Sequence, residues 1–226
     1  MKNDEIDTES RAYKFAKGKG VMNLPNKLTI SRMFMVPVFV LFFYWNFTAH
    51  YFVALAVFAV ACLTDLLDGK IARKYNLVTN LGKFLDPIAD KVLVLTTLVI
   101  YLTVPDLIIA NIGSVGIIAA GCGVAVILAR ELIVSGFRIV AADSGIKIAA
   151  DKIGKFKTVF QDISIVTLLF GAGIWELCSV FEGNSALETT SLVINLAGFV
   201  CLVIAVILTI ISGINYIVKN IEVLKQ

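Results

Sequence analysis

Residues 65–90 read DLLDGKIARKYNLVTNLGKFLDPIAD, and their four aspartates stand between two long apolar segments. The stretch is preceded by YFVALAVFAVACLT and followed by KVLVLTTLVIYLTV. A carboxylate at the centre of a membrane helix costs about 2.5–3.5 kcal/mol on insertion scales. Four aspartates beside such apolar segments therefore point to a functional site within a membrane protein.

The composition of the whole chain agrees with a membrane location. Of 226 residues, 58% are hydrophobic, and the mean hydropathy is +0.88. Soluble domains are usually about 45–50% apolar. His50 is the only histidine, which argues against a histidine metal site or a Ser–His–Asp triad. Because residues 1–20 are polar, we expect no cleavable signal peptide.

The apolar segments predict six transmembrane helices and an all-α fold. These segments lie near 28–47, 51–75, 82–104, 107–142, 153–180 and 190–218. A hydrocarbon core of ~30 Å needs about 20 helical residues. Only 107–129 and 191–218 meet this requirement without a charged residue; the others reach it only with their charged ends. We predict one six-helix domain over 22–226, preceded by a polar extension, 1–21, that is flexible or lies on the membrane surface.

The charges predict the orientation of these helices. All 20 Lys and Arg residues lie at or before Arg32, between Lys70 and Lys91, between Arg130 and Lys157, or after residue 218. The intervening loops hold only acidic charges, which are Asp106, Glu176, Glu182 and Glu188. The positive-inside rule therefore predicts that both termini are cytoplasmic. The charged helix ends then lie on the cytoplasmic side, and they predict a polar cavity that opens there.

The spacing of the aspartates predicts a metal site. Asp65 and Asp68 are three residues apart, and Asp86 and Asp90 are four apart, so each pair shares one face of a helix. The short loop between the second and third spans makes them antiparallel neighbours on which both pairs converge. Carboxylate oxygens suit Mg²⁺, Mn²⁺ or Ca²⁺. Two such ions would balance four carboxylates, and paired metals are a recurring device for phosphoryl transfer.

Other interpretations of these residues remain open at this point. In one alternative, the aspartates form ion pairs with nearby basic residues and bind no metal. These basic residues are Lys70, Arg73, Lys74, Lys83 and Lys91. Gly69, Ala72 and Gly82 either allow close helix packing or let a nucleotide approach the backbone. Intramembrane carboxylates also mark cation-coupled transporters. The charges gather on the cytoplasmic side without a matching set on the other side, which favours an enzyme over a transporter.

The same stretch resembles the signature of the CDP-alcohol phosphatidyltransferase family. The pattern D-x₂-D-G-x₂-A-R-x₈-G-x₃-D-x₃-D is filled without departure. The matching residues are Asp65, Asp68, Gly69, Ala72, Arg73, Gly82, Asp86 and Asp90. The resemblance covers nearly the whole chain from Met22 onward and implies a six-helix membrane enzyme with a CDP-linked lipid, CDP-diacylglycerol, as its donor.

The resemblance also implies a role for each signature residue. Asp65, Asp68 and Asp86 would hold divalent ions, two Mg²⁺ or Mn²⁺, on the diphosphate of the donor. Asp90 would contribute to the metal site and act as general base on the acceptor hydroxyl. The cytidine nucleotide would lie against Gly69, Ala72, Arg73 and Gly82. The family is generally homodimeric, so we expect the lipid bilayer and a second copy of the chain as partners, and no nucleic acid.

A second set of basic residues predicts how the acceptor binds. Arg130 and Arg138 are eight residues apart, which places them on one broad helix face, and Lys155 and Lys157 follow on the next span. These four cations suit an acceptor that carries a phosphate. Ordinary positive-inside charges are the alternative.

Three further stretches bear on the choice of acceptor. They are NLPNKLTISR at 23–32, the segment at 129–138 and GKFKT at 154–158. Together they resemble bacterial members of the family that use glycerol 3-phosphate, which implies a cytoplasmic membrane location with the site facing the cytoplasm. Serine, inositol phosphate and phosphatidylglycerol are the rival acceptors within the family.

Overall fold

The computed structural model describes residues 23–75, 79–143, 152–181 and 185–220, and within these ranges it contains six α-helices and no strand. They are α1 (Leu24–Tyr44), α2 (His50–Lys74), α3 (Asn80–Tyr101), α4 (Pro105–Asp143), α5 (Lys152–Val180) and α6 (Ser185–Asn220). The prediction of an all-α chain is confirmed. The predicted extension, 1–21, lies outside the described residues.

Five of these helices are long and apolar enough to cross a membrane. The candidate spans are Leu24–Tyr44, His50–Ile71, Gly113–Arg138, Ile153–Val180 and Ser185–Asn220. Helix α3 has 22 residues, about 33 Å at 1.5 Å per residue, but charged residues interrupt it between positions 83 and 91. Those charges are Lys83, Asp86, Asp90 and Lys91. The prediction of a multi-pass membrane protein is thus confirmed, with five of the six predicted spans identified from length and composition.

The surface of the helices is rich in large apolar side chains, as expected for contact with lipid. Phe34 is 70% exposed and Val115 is 74% exposed, and Leu41, Ile118 and Leu132 are also exposed. In water such a surface would be an interaction site or an aggregation hazard. In a bilayer the acyl chains cover it, so the exposed apolar faces agree with the candidate spans.

The chain divides into two compact units between Thr96 and Thr97. In the first unit α1 packs against α2 through aromatic and small residues. Phe39 and Phe58 have ring centroids 6.4 Å apart, and those of Phe43 and Tyr51 are 5.2 Å apart. Ala61 is fully buried, because small residues let membrane helices approach closely.

In the second unit α6 packs against both α4 and α5. Small residues and hydroxyl groups make the contact between α5 and α6. Ser164 Oγ donates a 2.9 Å hydrogen bond to the Gly198 carbonyl, and a Cβ on Gly198 would lie only 2.7 Å from Leu168 Cδ2. Within α4, Gly113 has φ 71° and ψ −179° at a kink, a conformation that glycine adopts without steric cost.

Candidate functional site

The starts of α1 and α3 are joined by a short chain of polar contacts in the first unit. Asn23 caps α1 by accepting a 3.0 Å hydrogen bond from the Asn26 amide. Asn26 Nδ2 donates to Thr79 Oγ1 at 2.7 Å, and Thr79 Oγ1 accepts from the Gly82 amide at 3.0 Å. A threonine immediately before a helix satisfies an amide that has no partner within the helix. These contacts hold the first turns of the two helices together.

Thr29, one turn further along α1, lies between two of the predicted metal ligands. Its Oγ1 is 2.7 Å from Asp86 Oδ1 and 3.3 Å from Asp68 Oδ2. A hydroxyl has one proton, so Thr29 donates to one carboxylate at a time. Asp68 on α2 and Asp86 on α3 are therefore brought to a common point, as the aspartate spacing predicts.

Arg32 completes this group of acidic residues. Its Nη1 lies 2.5 Å from Asp65 Oδ1, and its Nη2 forms an ion pair with Asp68 Oδ2. Arg32 is only 1% exposed, whereas the side chain of Asp65 is 41% exposed. The guanidinium pairs with Asp65 and Asp68, and the third carboxylate, Asp86, contacts Thr29. Three carboxylates and one guanidinium leave a formal charge of −2. This set of four residues is referred to below as the acidic cluster.

The remaining signature residues have different surroundings. Asp90 lies one turn beyond Asp86 on α3, and its side chain is exposed. Gly69 is half-buried. A Cβ on Gly82 would meet Asn26 Oδ1 at 2.7 Å, so the close-packing interpretation has a direct basis at this glycine. Ala72 and Arg73 lie within α2, and their side chains fall outside the described part of the structure.

The oxygen donors of the acidic cluster fit a divalent cation. Carboxylates are the ligands that Mg²⁺ and Mn²⁺ prefer, and the formal charge of −2 matches one such ion. Within the described ranges, no group of three His, Cys, Asp or Glu side chains is placed so that it could hold a metal ion. Arg32 instead contacts Asp65 and Asp68 together, so an ion bound to both would have to replace at least one of these contacts.

A second cluster of charged residues lies in the second unit. Arg130 Nη1 is 3.0 Å from Glu131 Oε1, and Lys157 Nζ is 2.6 Å from the same oxygen. Arg130 Nη2 also donates to Ser212 Oγ at 3.0 Å. Lys157 is only 3% exposed. A half-buried arginine and a buried lysine thus share one carboxylate, which leaves a formal charge of +1. We name this group the basic cluster: Arg130, Glu131, Lys157 and Ser212.

Two glycines make room for the Arg130 side chain. A Cβ on Gly213 of α6 would lie 3.2 Å from Arg130 Cγ, and one on Gly154 of α5 would lie 3.4 Å from Arg130 Nη2. Arg130 Nε is buried and has no hydrogen-bond partner among the described residues. The arginine is therefore closely packed against its neighbours, and its Nε donor makes no hydrogen bond to the described residues.

The predicted acceptor residues separate into three surroundings. Arg130 and Lys157 meet through Glu131. The Arg138 guanidinium lies 6.0 Å from the ring centroid of Tyr216, a residue one turn beyond Ser212 on α6. Both predicted arginines thus contact α6. Lys155 is exposed and belongs to a different face of α5 from the buried Lys157.

Four residues of these two sites were not predicted as site residues from the sequence: Arg32 and Thr29 beside the aspartates, and Glu131 and Ser212 in the basic cluster. Arg32 was counted with the positive charges of the cytoplasmic side, although it stands well inside an apolar helix. Glu131 follows a 23-residue uncharged stretch, 107–129, and Arg130. A charged residue next to a long apolar segment within a membrane helix is costly unless it is paired. This cost is the signal in the sequence that points to Arg32 and Glu131.

Comparison with known proteins assigns the chain to a family. A sequence model described as CDP-alcohol phosphatidyltransferase matches residues 22–218. A Bacillus subtilis protein named CDP-diacylglycerol–glycerol-3-phosphate 3-phosphatidyltransferase is 35% identical over 91% of this chain and 98% of its own length. Proteins with the same name from Rickettsia typhi and Escherichia coli K12 are 36% and 34% identical; each match covers 86% of this chain and 94% or 93% of the relative. No solved structure matches the chain.

The family model spans both structural units, and the signature at 65–90 lies inside its boundaries. The relatives are similar over almost their whole length, so the similarity is not confined to the signature. The resemblance inferred from the aspartate pattern is thereby confirmed, and the chain belongs to the CDP-alcohol phosphatidyltransferase family.

Proposed function

We propose that the protein transfers the phosphatidyl group of CDP-diacylglycerol to glycerol 3-phosphate, forming phosphatidylglycerophosphate and CMP. The observation that carries this proposal is the acidic cluster, in which the family signature gathers three carboxylates around Arg32 and Thr29. The names of the relatives supply the substrates. Membership of a transferase family also favours the enzyme over the cation-coupled transporter.

The acidic cluster is the proposed site for the donor's diphosphate. Asp65, Asp68 and Asp86 would hold one or two Mg²⁺ or Mn²⁺ ions, with Asp90 contributing from the next turn of α3. Bound divalent ions neutralise the negative charge that develops on a leaving phosphate. Gly69, Ala72, Arg73 and Gly82 are proposed to contact the cytidine nucleotide, as the family signature implies.

Asp90 is the proposed general base. Its exposed carboxylate is accessible to an acceptor and lies one turn from Asp86. The acceptor hydroxyl would give its proton to Asp90 as its oxygen forms a bond with the lipid-side phosphorus. The bond between that phosphorus and the bridging oxygen then breaks, and CMP leaves with the electron pair. General-base catalysis of this kind typically contributes about 10²–10⁴-fold.

The basic cluster is the proposed site for the phosphate of the acceptor. Arg130 and Lys157 share Glu131 and retain a formal charge of +1, and Arg130 Nε has no partner among the described residues. Guanidinium groups bind phosphate through paired hydrogen bonds. Arg138 and Lys155 would add positive charge near this site. Glu131 would hold Arg130 and Lys157 in place through its carboxylate.

The membrane arrangement is the last part of the proposal. We infer six spans, which are the five apolar helices and α3; α3 is long enough to span but carries Asp86 and Asp90 among its charged residues. Both termini and a polar cavity would then face the cytoplasm of a bacterium, where the water-soluble substrate is found. The protein would act in the cytoplasmic membrane as a homodimer, as the family resemblance implies.

An acceptor panel tests the proposed reaction. We expect the purified protein, supplied with CDP-diacylglycerol and Mg²⁺, to release CMP with glycerol 3-phosphate and to do so poorly or not at all with free glycerol. The two acceptors differ only in the phosphate that the basic cluster would bind. Serine, inositol phosphate and phosphatidylglycerol complete the panel. CMP release with one of these alone would replace the acceptor, whereas isotope flux into vesicles without CMP release would favour the transporter.

Substitution of Arg130 tests the proposed phosphate site. Loss of a charged hydrogen-bond partner typically costs about 1.5–3 kcal/mol, which is roughly 10- to 150-fold in an equilibrium constant. We expect Arg130→Ala to raise the KM for glycerol 3-phosphate by that factor, or to lower kcat/KM equally, while the apparent affinity for CDP-diacylglycerol changes much less. Initial rates of CMP release at varied acceptor concentrations measure the effect.

The control for Arg130→Ala is Lys219→Ala, which removes an exposed cation near the end of α6. We expect this control to leave the KM for glycerol 3-phosphate unchanged. An equal effect of both substitutions, or an effect of Arg130→Ala confined to membrane insertion, would favour ordinary positive-inside charges over a phosphate site.

A further inference from the structure

Arg32 is the cation of the acidic cluster, and its side chain is deeply buried. The proposed reaction assigns it no role. It is 1% exposed and forms ion pairs with Asp65 and Asp68, of which Asp68 is also buried. Its Nε is buried and has no hydrogen-bond partner among the described residues. Among the described residues, the two carboxylates are therefore the groups that hold the guanidinium in the cluster.

The contacts of Arg32 involve the oxygens that a divalent ion would need. Asp68 Oδ2 accepts from Arg32 Nη2 and lies 3.3 Å from Thr29 Oγ1, so two partners already surround it. A second cation on the same oxygens would experience like-charge repulsion from the guanidinium. An ion and Arg32 therefore compete for Asp65 and Asp68.

Competition of this kind has a physical advantage in the metal-free protein. A buried carboxylate without a counter-charge is strongly destabilising, and Arg32, Asp65 and Asp68 lie within candidate membrane spans. Arg32 supplies that counter-charge from within the chain. The site can then be emptied of metal without leaving Asp68 as an unpaired buried charge.

We propose that Arg32 is an internal counter-ion that exchanges with the divalent cation. It holds Asp65 and Asp68 in the metal-free protein and gives up at least one of these contacts when the ion binds. This inference rests on the proposed metal site. In it, Arg32 positions Asp65 and Asp68 in the metal-free protein and lowers the affinity of the site for the ion. An arginine that merely orients the carboxylates for the ion would have the opposite effect on affinity.

The test measures ion binding by the full-length protein without substrate. The purified protein, stripped of metal, is titrated with Mn²⁺ while free Mn²⁺ is followed by electron paramagnetic resonance. We expect Arg32→Gln to bind Mn²⁺ at least about tenfold more tightly than the wild type, the lower end of the effect of a charged contact. An unchanged or weaker affinity in this variant would overturn the exchange.

Lys27→Gln is the matched control, because it removes one positive charge from an exposed position on the same helix, five residues before Arg32. We expect its Mn²⁺ affinity to equal that of the wild type. An equal gain in both variants would assign the effect to the general potential of the helix and would also overturn the exchange.

Stability provides a second readout that keeps the inference testable if Arg32→Gln folds poorly without metal. Thermal unfolding in EDTA should occur at a lower temperature in Arg32→Gln than in the wild type, and added Mg²⁺ should raise the midpoint of the variant more than that of the wild type. If Arg32→Gln does not fold in either condition, Arg32→Lys decides. The ammonium group of a lysine cannot pair with Asp65 and Asp68 through two separate nitrogens, so it competes less well with the ion. If the exchange is correct, Arg32→Lys therefore also binds Mn²⁺ more tightly than the wild type.

Asp68→Asn separates failure of the exchange from failure of the metal site. If the wild type binds Mn²⁺, Asp68→Asn abolishes binding and Arg32→Gln leaves it unchanged, the metal site stands and the exchange is wrong. If neither the wild type nor Arg32→Gln binds Mn²⁺, both are wrong. Binding by Arg32→Gln but not by the wild type would be the strongest form of the expected result.

Discussion

Removal of divalent cations with EDTA is expected to abolish CMP release, and added Mg²⁺ or Mn²⁺ to restore it. The acidic cluster contains three carboxylates and one guanidinium, and the donor would add the negative charge of a diphosphate. Without divalent ions this concentration of negative charge would oppose donor binding and departure of CMP. The measurement is the initial rate of CMP release with CDP-diacylglycerol and glycerol 3-phosphate.

EDTA saturated with Mg²⁺ before addition is the control for effects of the chelator on the membrane or detergent. It should leave the rate unchanged. Full activity in free EDTA after prolonged dialysis would contradict the metal proposal, and the carboxylates would then have to act through Arg32 and protons alone.

Asp90→Asn is expected to lower turnover by at least about 10²-fold, the scale of lost general-base catalysis. The amide is similar in size to the carboxylate but cannot accept the proton of the acceptor hydroxyl. Binding of the CDP-lipid should stay within about tenfold of the wild type, because three carboxylates of the acidic cluster remain. Single-turnover CMP release and a separate nucleotide-binding titration measure the two quantities.

Asp65→Asn serves as the comparison, since Asp65 contacts Arg32 and is proposed to hold metal rather than to move a proton. It should weaken nucleotide binding together with turnover. Near-normal turnover in Asp90→Asn would refute the base assignment, and equal loss of binding in both variants would place Asp90 among the metal ligands only.

The sequence by itself determined the membrane character and the helices, and it predicted the two pairs of aspartates. Apolar segments separated by charges predict helices closely, because burial in lipid requires both apolar side chains and satisfied backbone groups. The segments expected near 51–75 and 153–180 correspond to His50–Lys74 and Lys152–Val180. Spacings of three and four residues bring side chains to one helix face regardless of tertiary packing, so the aspartate pairs could also be predicted.

Helix α3 shows how charged residues obscure a membrane span in the sequence. Its length suits a span, but four charged residues lie between positions 83 and 91. A charged residue within a helix has a low cost when it is paired or faces a polar site. The hydropathy of the sequence reflects the free-energy cost of placing such a charge in the membrane. It does not reflect the ion pairs that offset this cost, because those depend on other helices.

Only the tertiary structure decided which charges compensate each other. Arg32 is 36 residues from Asp68, and Lys157 is 26 residues from Glu131, so no local spacing relates them. Lys155 and Lys157 look equivalent in the sequence, yet one is exposed and the other buried. Successive helical residues are rotated by about 100°, and the docking of one helix against another selects the face that is buried. The partner of a buried charge is therefore a property of helix packing, which the order of residues along the chain does not state.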